Sequence, residues 1–164
     1  MTCSIRRTVS AVSLAAVIGS VMLVGMSASW AQQPAASDDG VKAASTAFFA
    51  ALSGTDVAAM KEVWAHTPDV VYVGPQSKTL VRGWAAVEAA WEQSFASRSR
   101  RVSLAESYIY TEGNIAWEVG TETGTVKLLK DGSESKTDNI VTNVYEKQNG
   151  RWLMVSHHAQ AKPQ

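Results

Sequence analysis

The chain of 164 residues carries 15 Lys and Arg side chains and 15 Asp and Glu side chains, so its formal net charge is zero. A nucleic-acid-binding domain neutralises phosphates with a concentrated excess of Lys and Arg, and the sequence contains no such stripe. With 46% hydrophobic and 18% charged residues, the chain is too apolar for a disordered segment, and its length suits one compact domain.

The first 31 residues have the pattern of a signal peptide. Arg6 and Arg7 precede an uncharged apolar run over residues 11–26, and small residues near position 31 form a cleavage site. The apolar run is shorter than the roughly 20 residues that span a bilayer. We therefore predict cleavage after Ala31 and a periplasmic or secreted protein, for which the general secretory route fits the flanking residues better than the twin-arginine route.

Removal of this segment takes away the only cysteine, Cys3, so the exported protein has no thiol for disulfides or for thiolate chemistry. Residues 32–39 are polar and predict a linker, and residues 40–161 predict a single domain. We expect contact with a membrane only through the signal segment.

Three helices are predicted in the first half of the domain, because apolar residues recur there at helical spacing between capping residues and glycines. The three stripes are Val41, Ala44, Phe48 and Leu52; Val57, Met60 and Trp64; and Trp84, Val87, Trp91 and Phe95. A β-branched run over residues 70–73, ended by Gly74 and Pro75, predicts one strand between the second and third helices.

From Arg101 onward the apolar period changes from about 3.6 to 2, which indicates strands. Turn sequences at 112–114, 131–132 and 149–150 divide this half into four long strands, and Gly120 and Gly124 predict bends in the second of them. Helices followed by an antiparallel meander indicate an α+β fold, with the helices on one face of a curved sheet.

The last turn, Asn149-Gly150, predicts the pairing of the final hairpin if it is a two-residue turn. The pairs placed on one face are Tyr145 with Met154, Asn143 with Ser156 and Val141 with His158. His157 then points to the opposite face. Because both faces carry apolar residues, we expect one to cover the helices and the other to meet a second subunit.

Several short segments match a known superfamily; they are 48–52, 70–75, Gly83-Trp84, Ala116-Trp117, 141–145, 149–153 and His157-His158. Together with the order of elements, they resemble the nuclear-transport-factor-2-like superfamily and its SnoaL-like bacterial branch, which is similar to the association domain of calcium/calmodulin-dependent protein kinase II. The resemblance implies a cone-shaped half-barrel in which three N-terminal helices pack on a curved, mainly antiparallel sheet. It also implies a pocket on the concave face and a homodimer through the outer face.

The superfamily includes isomerases, dehydratases, hydrolases and binding domains without catalysis, so function has to be argued from the pocket. The predicted ligand-binding residues are Tyr72, Trp117, Asn143, Tyr145, Ser156 and His158. Glu118 and Glu122 alternate with Trp117 along one strand and are expected to point away from the pocket, which disfavours a mechanism with paired acids.

We expect no metal site, because successive side chains of a strand diverge and His157 and His158 cannot share one ion. No cofactor is expected either. The first hypothesis is an exported, dimeric small-molecule-binding protein with an aromatic pocket and no catalysis. The second is a lyase or isomerase that uses His158 for proton transfer, and the third is an assembly module with a vestigial pocket.

Overall fold

The computed structural model describes residues 39–163, so the predicted signal peptide and nearly all of the predicted linker lie outside the described residues. The elements in chain order are α1 (Asp39–Gly54), α2 (Val57–Val63), β1 (Val71–Val73), β2 (Val81–Arg82), α3 (Trp84–Ser97), β3 (Arg98–Glu112), β4 (Ile115–Leu128), β5 (Glu134–Gln148) and β6 (Arg151–Ala161). Within this range no helix is long and apolar enough to cross a bilayer.

The six strands form one curved, unclosed sheet in the order β2-β1-β6-β5-β4-β3. Strand β1 runs parallel to β6, and every other neighbouring pair is antiparallel. The three helices pack on this sheet, so the predicted α+β architecture is confirmed. The two-residue strand β2 has no counterpart in the sequence prediction because it is too short to show a period.

The helices bury the apolar stripes that the sequence predicted. Phe48 of α1 and Trp91 of α3 are buried and meet edge to face, with ring centroids 5.9 Å apart. Helix α2 begins after Asp56, whose side chain accepts a hydrogen bond from the backbone N–H of Ala59. The Ser53 hydroxyl at the end of α1 donates to the carbonyl of Val102 and fixes the helix to β3.

The bend of the sheet depends on two glycines of β4. A Cβ atom at Gly120 would collide with the carbonyl oxygen of Glu106, and one at Gly124 would collide with that of Arg101. Gly124 also has a φ of 153°, which side-chain-bearing residues rarely adopt. A bulge in β3 between Leu104 and Glu106 accompanies this close approach, as expected where a sheet curves.

The final hairpin has the predicted turn, with positive φ at both Asn149 and Gly150, and the predicted pair Tyr145 with Met154, but the pairs predicted farther from the turn are wrong. A bulge leaves Val155 without a partner, because Tyr145 pairs with Met154 and Val144 pairs with Ser156. Every β6 residue after the bulge is therefore displaced by one position relative to β5.

The displacement exchanges the two histidines. The pairs beyond the bulge are Asn143 with His157, Thr142 with His158 and Val141 with Ala159. His157 is buried on the concave face, whereas His158 is exposed on the outer face.

The predicted orientation of β4 is also wrong. Glu118 and Glu122 are buried on the concave face, at 1% and 6% exposure, whereas Trp117 is 42% exposed on the outer face. The outward indole stacks on the ring of Tyr110, with centroids 4.3 Å apart. The argument that placed both carboxylates away from the pocket therefore fails.

Candidate functional site

A broad cleft of about 1810 Å³ opens on the concave side of the sheet, beside α3 and the loop that follows β1. One part of its wall is aromatic and comes from Tyr72 and Trp91, whose ring centroids lie 4.6 Å apart. The polar side chains that line the deeper part are Arg98, Arg100, Glu122, Asn139 and His157. The cleft thus combines an aromatic patch with a wall that carries many polar and charged side chains.

Glu122 is placed in the cleft by the alternation of β4. Its Oε1 accepts a hydrogen bond of 2.7 Å from Asn139 Nδ2 on β5, and the same amide nitrogen lies 2.9 Å from Thr137 Oγ1. Burial raises the pKa of Glu122, because the charged form loses hydration, and the bond from Asn139 only partly opposes this effect. A carboxyl group with a raised pKa keeps its proton to a higher pH than an ordinary glutamate, which suits it to proton transfer.

Deeper under α1, a second carboxylate anchors a buried network. Glu118 accepts a hydrogen bond of 2.6 Å from Ser107 Oγ at its Oε1 atom. Its Oε2 atom accepts two bonds of 3.0 Å, from Asn143 Nδ2 and from the Tyr145 hydroxyl. Burial and the charge of Glu118 hold the pKa of Tyr145 well above its ordinary value, so this phenol remains a donor.

The network reaches the cleft through His157. The Asn143 side chain must turn its NH2 group toward the carboxylate of Glu118, which leaves its Oδ1 atom to face His157 Nδ1 at 2.7 Å. An amide oxygen only accepts, so Nδ1 of the imidazole carries the proton. Nε2 is then the unprotonated nitrogen, and it has no hydrogen-bond partner among residues 39–163.

His157 is held in its neutral form. Its ring packs against Phe48 at 5.0 Å and lies nearly parallel to Tyr72, with centroids 5.8 Å apart. Burial, together with the smaller effects of the positive charges of His158 and Arg100, lowers the pKa of His157 to about 3. The imidazole therefore offers the cleft a hydrogen-bond acceptor and carries no charge at neutral pH.

The structure separates the predicted ligand-binding residues into three groups. Tyr72 lines the cleft. Asn143 and Tyr145 lie one layer below it, in the network of Glu118.

The remaining three residues do not line the cleft. Trp117 and His158 lie on the outer face, and Ser156 sits beside the bulge, paired with Val144. The expectation that these three side chains face a pocket is wrong, because the sequence shows neither the bulge of β6 nor the orientation of β4.

Four residues of the site were not predicted from the sequence; they are Arg100, Glu118, Glu122 and His157. One signal for the carboxylates was present. The small residues Ala116 and Gly120 occupy the same face as Glu118, and small residues suit the side of a strand that a helix covers. Within residues 39–163, no group of three or more His, Cys, Asp or Glu side chains is arranged to hold a metal ion.

Comparisons with known proteins agree with this architecture. A family model described as the SnoaL-like domain matches residues 41–160. The fold is similar to that of an NTF2-like superfamily protein from Salmonella enterica serovar Typhimurium, with a TM-score of 0.71, 17% identity, and coverage of 77% of this chain and 92% of that chain. No curated protein matches the chain.

Two further solved structures are similar. A protein of Thiobacillus denitrificans, provisionally described as a calcium/calmodulin-dependent protein kinase type II association domain, has a TM-score of 0.64 and 26% identity, with 74% of this chain and 94% of that chain covered. A protein of Streptomyces avermitilis, provisionally described as a dehydratase of the NTF2-like family, has a TM-score of 0.69 and 21% identity, with 77% of this chain and 97% of that chain covered.

Proposed function

The chain belongs to the SnoaL-like domain family of the nuclear-transport-factor-2-like superfamily, and from this premise we propose that it binds a small organic molecule in the cleft. The observation that carries the proposal is the composition of the cleft wall. Tyr72 offers a ring that is backed by the buried Trp91, while Glu122 and His157 present polar atoms that have few partners of their own. Such a combination favours a ligand with an apolar body and a small number of polar groups.

The experiment is mass spectrometry of small molecules that remain bound when the native protein is purified from its own compartment. We expect one dominant species with wild-type protein and its loss from Tyr72→Ala. Tyr108→Ala is the matched control, because Tyr108 is 74% exposed on the outer face and lies away from the cleft. If no molecule is retained and no member of a fragment library binds the cleft, the proposal is wrong.

A second candidate function is proton transfer, of the kind that an isomerase or dehydratase performs. Two observations favour it: the pKa of Glu122 is raised, and a neutral imidazole lies in the same cleft. Glu122 would move the proton, and His157 Nε2 would accept a hydrogen bond from the substrate. This pair takes the place that the sequence prediction gave to His158.

Proton transfer can be tested without knowing the reaction. The retained molecule is incubated with enzyme in D2O, and incorporation of deuterium is followed by mass spectrometry. We expect exchange with wild-type protein and none with Glu122→Gln, which keeps the shape of the side chain but cannot ionise. Exchange at the wild-type rate in this variant would exclude Glu122 as the proton-transfer group and leave binding as the function.

We also propose that the protein is exported and that it forms a homodimer through the outer sheet face. The large apolar side chains exposed on that face are Tyr108, Tyr110, Ile115, Trp117, Val119 and Ile140. Tyr108 pairs with Val119 and Tyr110 with Trp117, so these residues form one continuous patch. A second copy of the chain would cover it, as large apolar patches are rarely left in contact with water. The third hypothesis, an assembly module with a vestigial pocket, is less well supported because the cleft is open.

A further inference from the structure

We propose that Arg100 binds an anionic oxygen group, in the simplest case a carboxylate, on the molecule that the cleft accommodates. The proposal rests on the proposed binding function and adds the chemical class of the ligand. It starts from the position of Arg100 on the concave face of β3, where the residue lines the cleft together with Tyr72 and Glu122.

The hydrogen bonds of the Arg100 guanidinium are incomplete. Nη2 donates to Ser94 Oγ at 2.6 Å, whereas Nη1 is buried and has no partner. Buried polar groups in folded proteins are nearly always hydrogen-bonded, and an unpaired group commonly marks a site that a ligand or an ordered water completes. A guanidinium group has five N–H donors in a rigid plane, so one hydroxyl partner leaves most of its capacity unused.

Arg100 also forms no ion pair with an acidic residue among residues 39–163. The cations in ion pairs among residues 39–163 are Lys61, Arg82, Lys130, Arg151 and Lys162. Arg100 does not belong to this set, although burial disfavours an isolated charge and lowers the pKa of the group. An anionic ligand would supply the missing counter-charge in a partly desolvated position, where a charge-assisted bond is strong.

Glu122, the acidic residue that could neutralise Arg100 from inside the protein, is hydrogen-bonded to another residue. Glu122 lines the same cleft and is hydrogen-bonded to Asn139, outside ion-pair distance of Arg100. Arg98, two residues before Arg100, lies on the same face of β3, and its guanidinium makes a long contact of 3.4 Å with Ser97 Oγ. Of the acidic residues at the rim, Asp138 is already paired with Lys162. Arg98 and Arg100 therefore place two positive charges at the start of β3, where they line the cleft.

The surroundings of Arg100 also describe the rest of the ligand. Tyr72 is close enough to Arg100 for the positive charge to oppose the rise in the pKa of Tyr72 that burial causes. The Tyr72 ring also contacts Trp91. A planar apolar body would stack on the Tyr72 ring while its acid group reaches the guanidinium. The predicted class is a small aromatic or unsaturated carboxylic acid.

The experiment compares benzoate with benzamide, a neutral molecule of the same shape, by calorimetric titration of the full chain. We expect benzoate to bind at least ten-fold more tightly than benzamide to the wild type. Arg100→Gln should remove this preference and leave the affinity for benzamide unchanged. Arg101→Gln is the matched control, because Arg101 is the next residue of the strand and is exposed on the outer face. It should behave like the wild type.

Each outcome decides the question. Equal affinities for the two probes in the wild type, or an undiminished preference for benzoate in Arg100→Gln, would overturn the assignment while leaving a binding cleft in place. Binding of neither probe would also overturn it, and the proposed function would then depend on the retained molecule alone. If Arg100→Gln does not fold, the wild type alone can decide. We then expect it to prefer benzoate over benzamide and expect added salt to weaken this preference. A wild type without the preference would contradict the proposal.

Discussion

At the scale of single residues, the central feature is the carboxylate of Glu118, which lies at 1% exposure among three donors. Its oxygens satisfy Ser107, Asn143 and Tyr145, and through Asn143 they decide which nitrogen of His157 carries the proton. Glu118 is therefore a positioning residue, since it acts on the cleft only through its neighbour. Two variants can separate the contribution of Glu118 to stability from its effect on which His157 nitrogen is protonated.

We predict that Glu118→Leu lowers the free energy of unfolding by about 2–4 kcal/mol, because it leaves buried donors without acceptors. Glu118→Gln should lose much less, since its amide oxygen can still accept from Asn143 and Tyr145. Urea unfolding measures both losses, and the ¹⁵N shifts of the His157 ring show whether Nδ1 keeps its proton in Glu118→Gln. Equal losses in the two variants would mean that the hydrogen bonds contribute little.

His157 predicts a dependence of stability on pH. Its pKa is about 3 in the folded protein, against an ordinary value of 6.5, so between these values the unfolded chain binds a proton that the folded chain excludes. The stability due to the neutral imidazole is therefore complete above pH 6.5 and is lost as the pH falls toward 3, at about 1.4 kcal/mol per pH unit.

The measurement is the difference in unfolding free energy between the wild type and His157→Gln at several pH values. This difference should shrink on acidification. Glu122 has a raised pKa and favours the folded state at low pH, the opposite sign, but its effect is common to both proteins and cancels. A difference that stays constant from pH 7 to pH 4 would contradict the burial of a neutral His157.

At the scale of elements, periodicity was a reliable guide to helices and a poor guide to strand faces. The stripe of α3 was predicted to be buried, and Trp91 is 3% exposed between the rings of Phe48, Tyr72 and Phe95. In β4, however, the aromatic residue that suggested an inner face lies outside. Hydrophobicity cannot distinguish the two faces of a sheet when both carry apolar residues. The alternation of Trp117 and Glu118 therefore does not indicate which of the two faces the helices.

We predict that Trp91→Ala lowers the free energy of unfolding by about 3–5 kcal/mol, because a buried ring is replaced by a cavity. Trp84→Ala is the control on the same helix, where the indole is only partly buried and stacks on His66. It should lose less than half as much in thermal or urea unfolding. A loss below about 1 kcal/mol for Trp91→Ala would show that α3 contributes little to the core.

At the scale of the whole molecule, the order of helices, turns and strands was enough to predict the fold, because each element has its own local signal. The composition of the cleft could not be predicted in the same way. It depends on the bulge at Val155, which the sequence of β6 does not predict. It also depends on contacts such as the hydrogen bond from Arg100 to Ser94, which joins a strand to a helix. Sequence patterns describe neighbours along the chain, whereas the site is built from side chains that only the folded sheet brings together.

The outer face provides the prediction for the assembled protein. Trp117→Glu places a charge at the centre of the exposed apolar patch, and we expect it to convert a dimer into monomers without unfolding the sheet. Size-exclusion chromatography with light scattering gives the mass directly. Lys78→Glu, on an exposed loop away from the patch, should remain dimeric. A wild-type protein that is monomeric at high concentration would refute the interface.

Gly120 has a consequence for the chemistry of the cleft as well as for the bend of the sheet. It lies between Glu118 and Glu122 on the same face of β4, and the side chain of Leu104 fills the space that a side chain at position 120 would need. The Leu104 side chain therefore packs on the strand at a position between the two acids. The deeper acid holds the buried network of Ser107, Asn143 and Tyr145, while the shallower one lines the cleft, and the missing side chain at position 120 leaves room for the Leu104 side chain beside them.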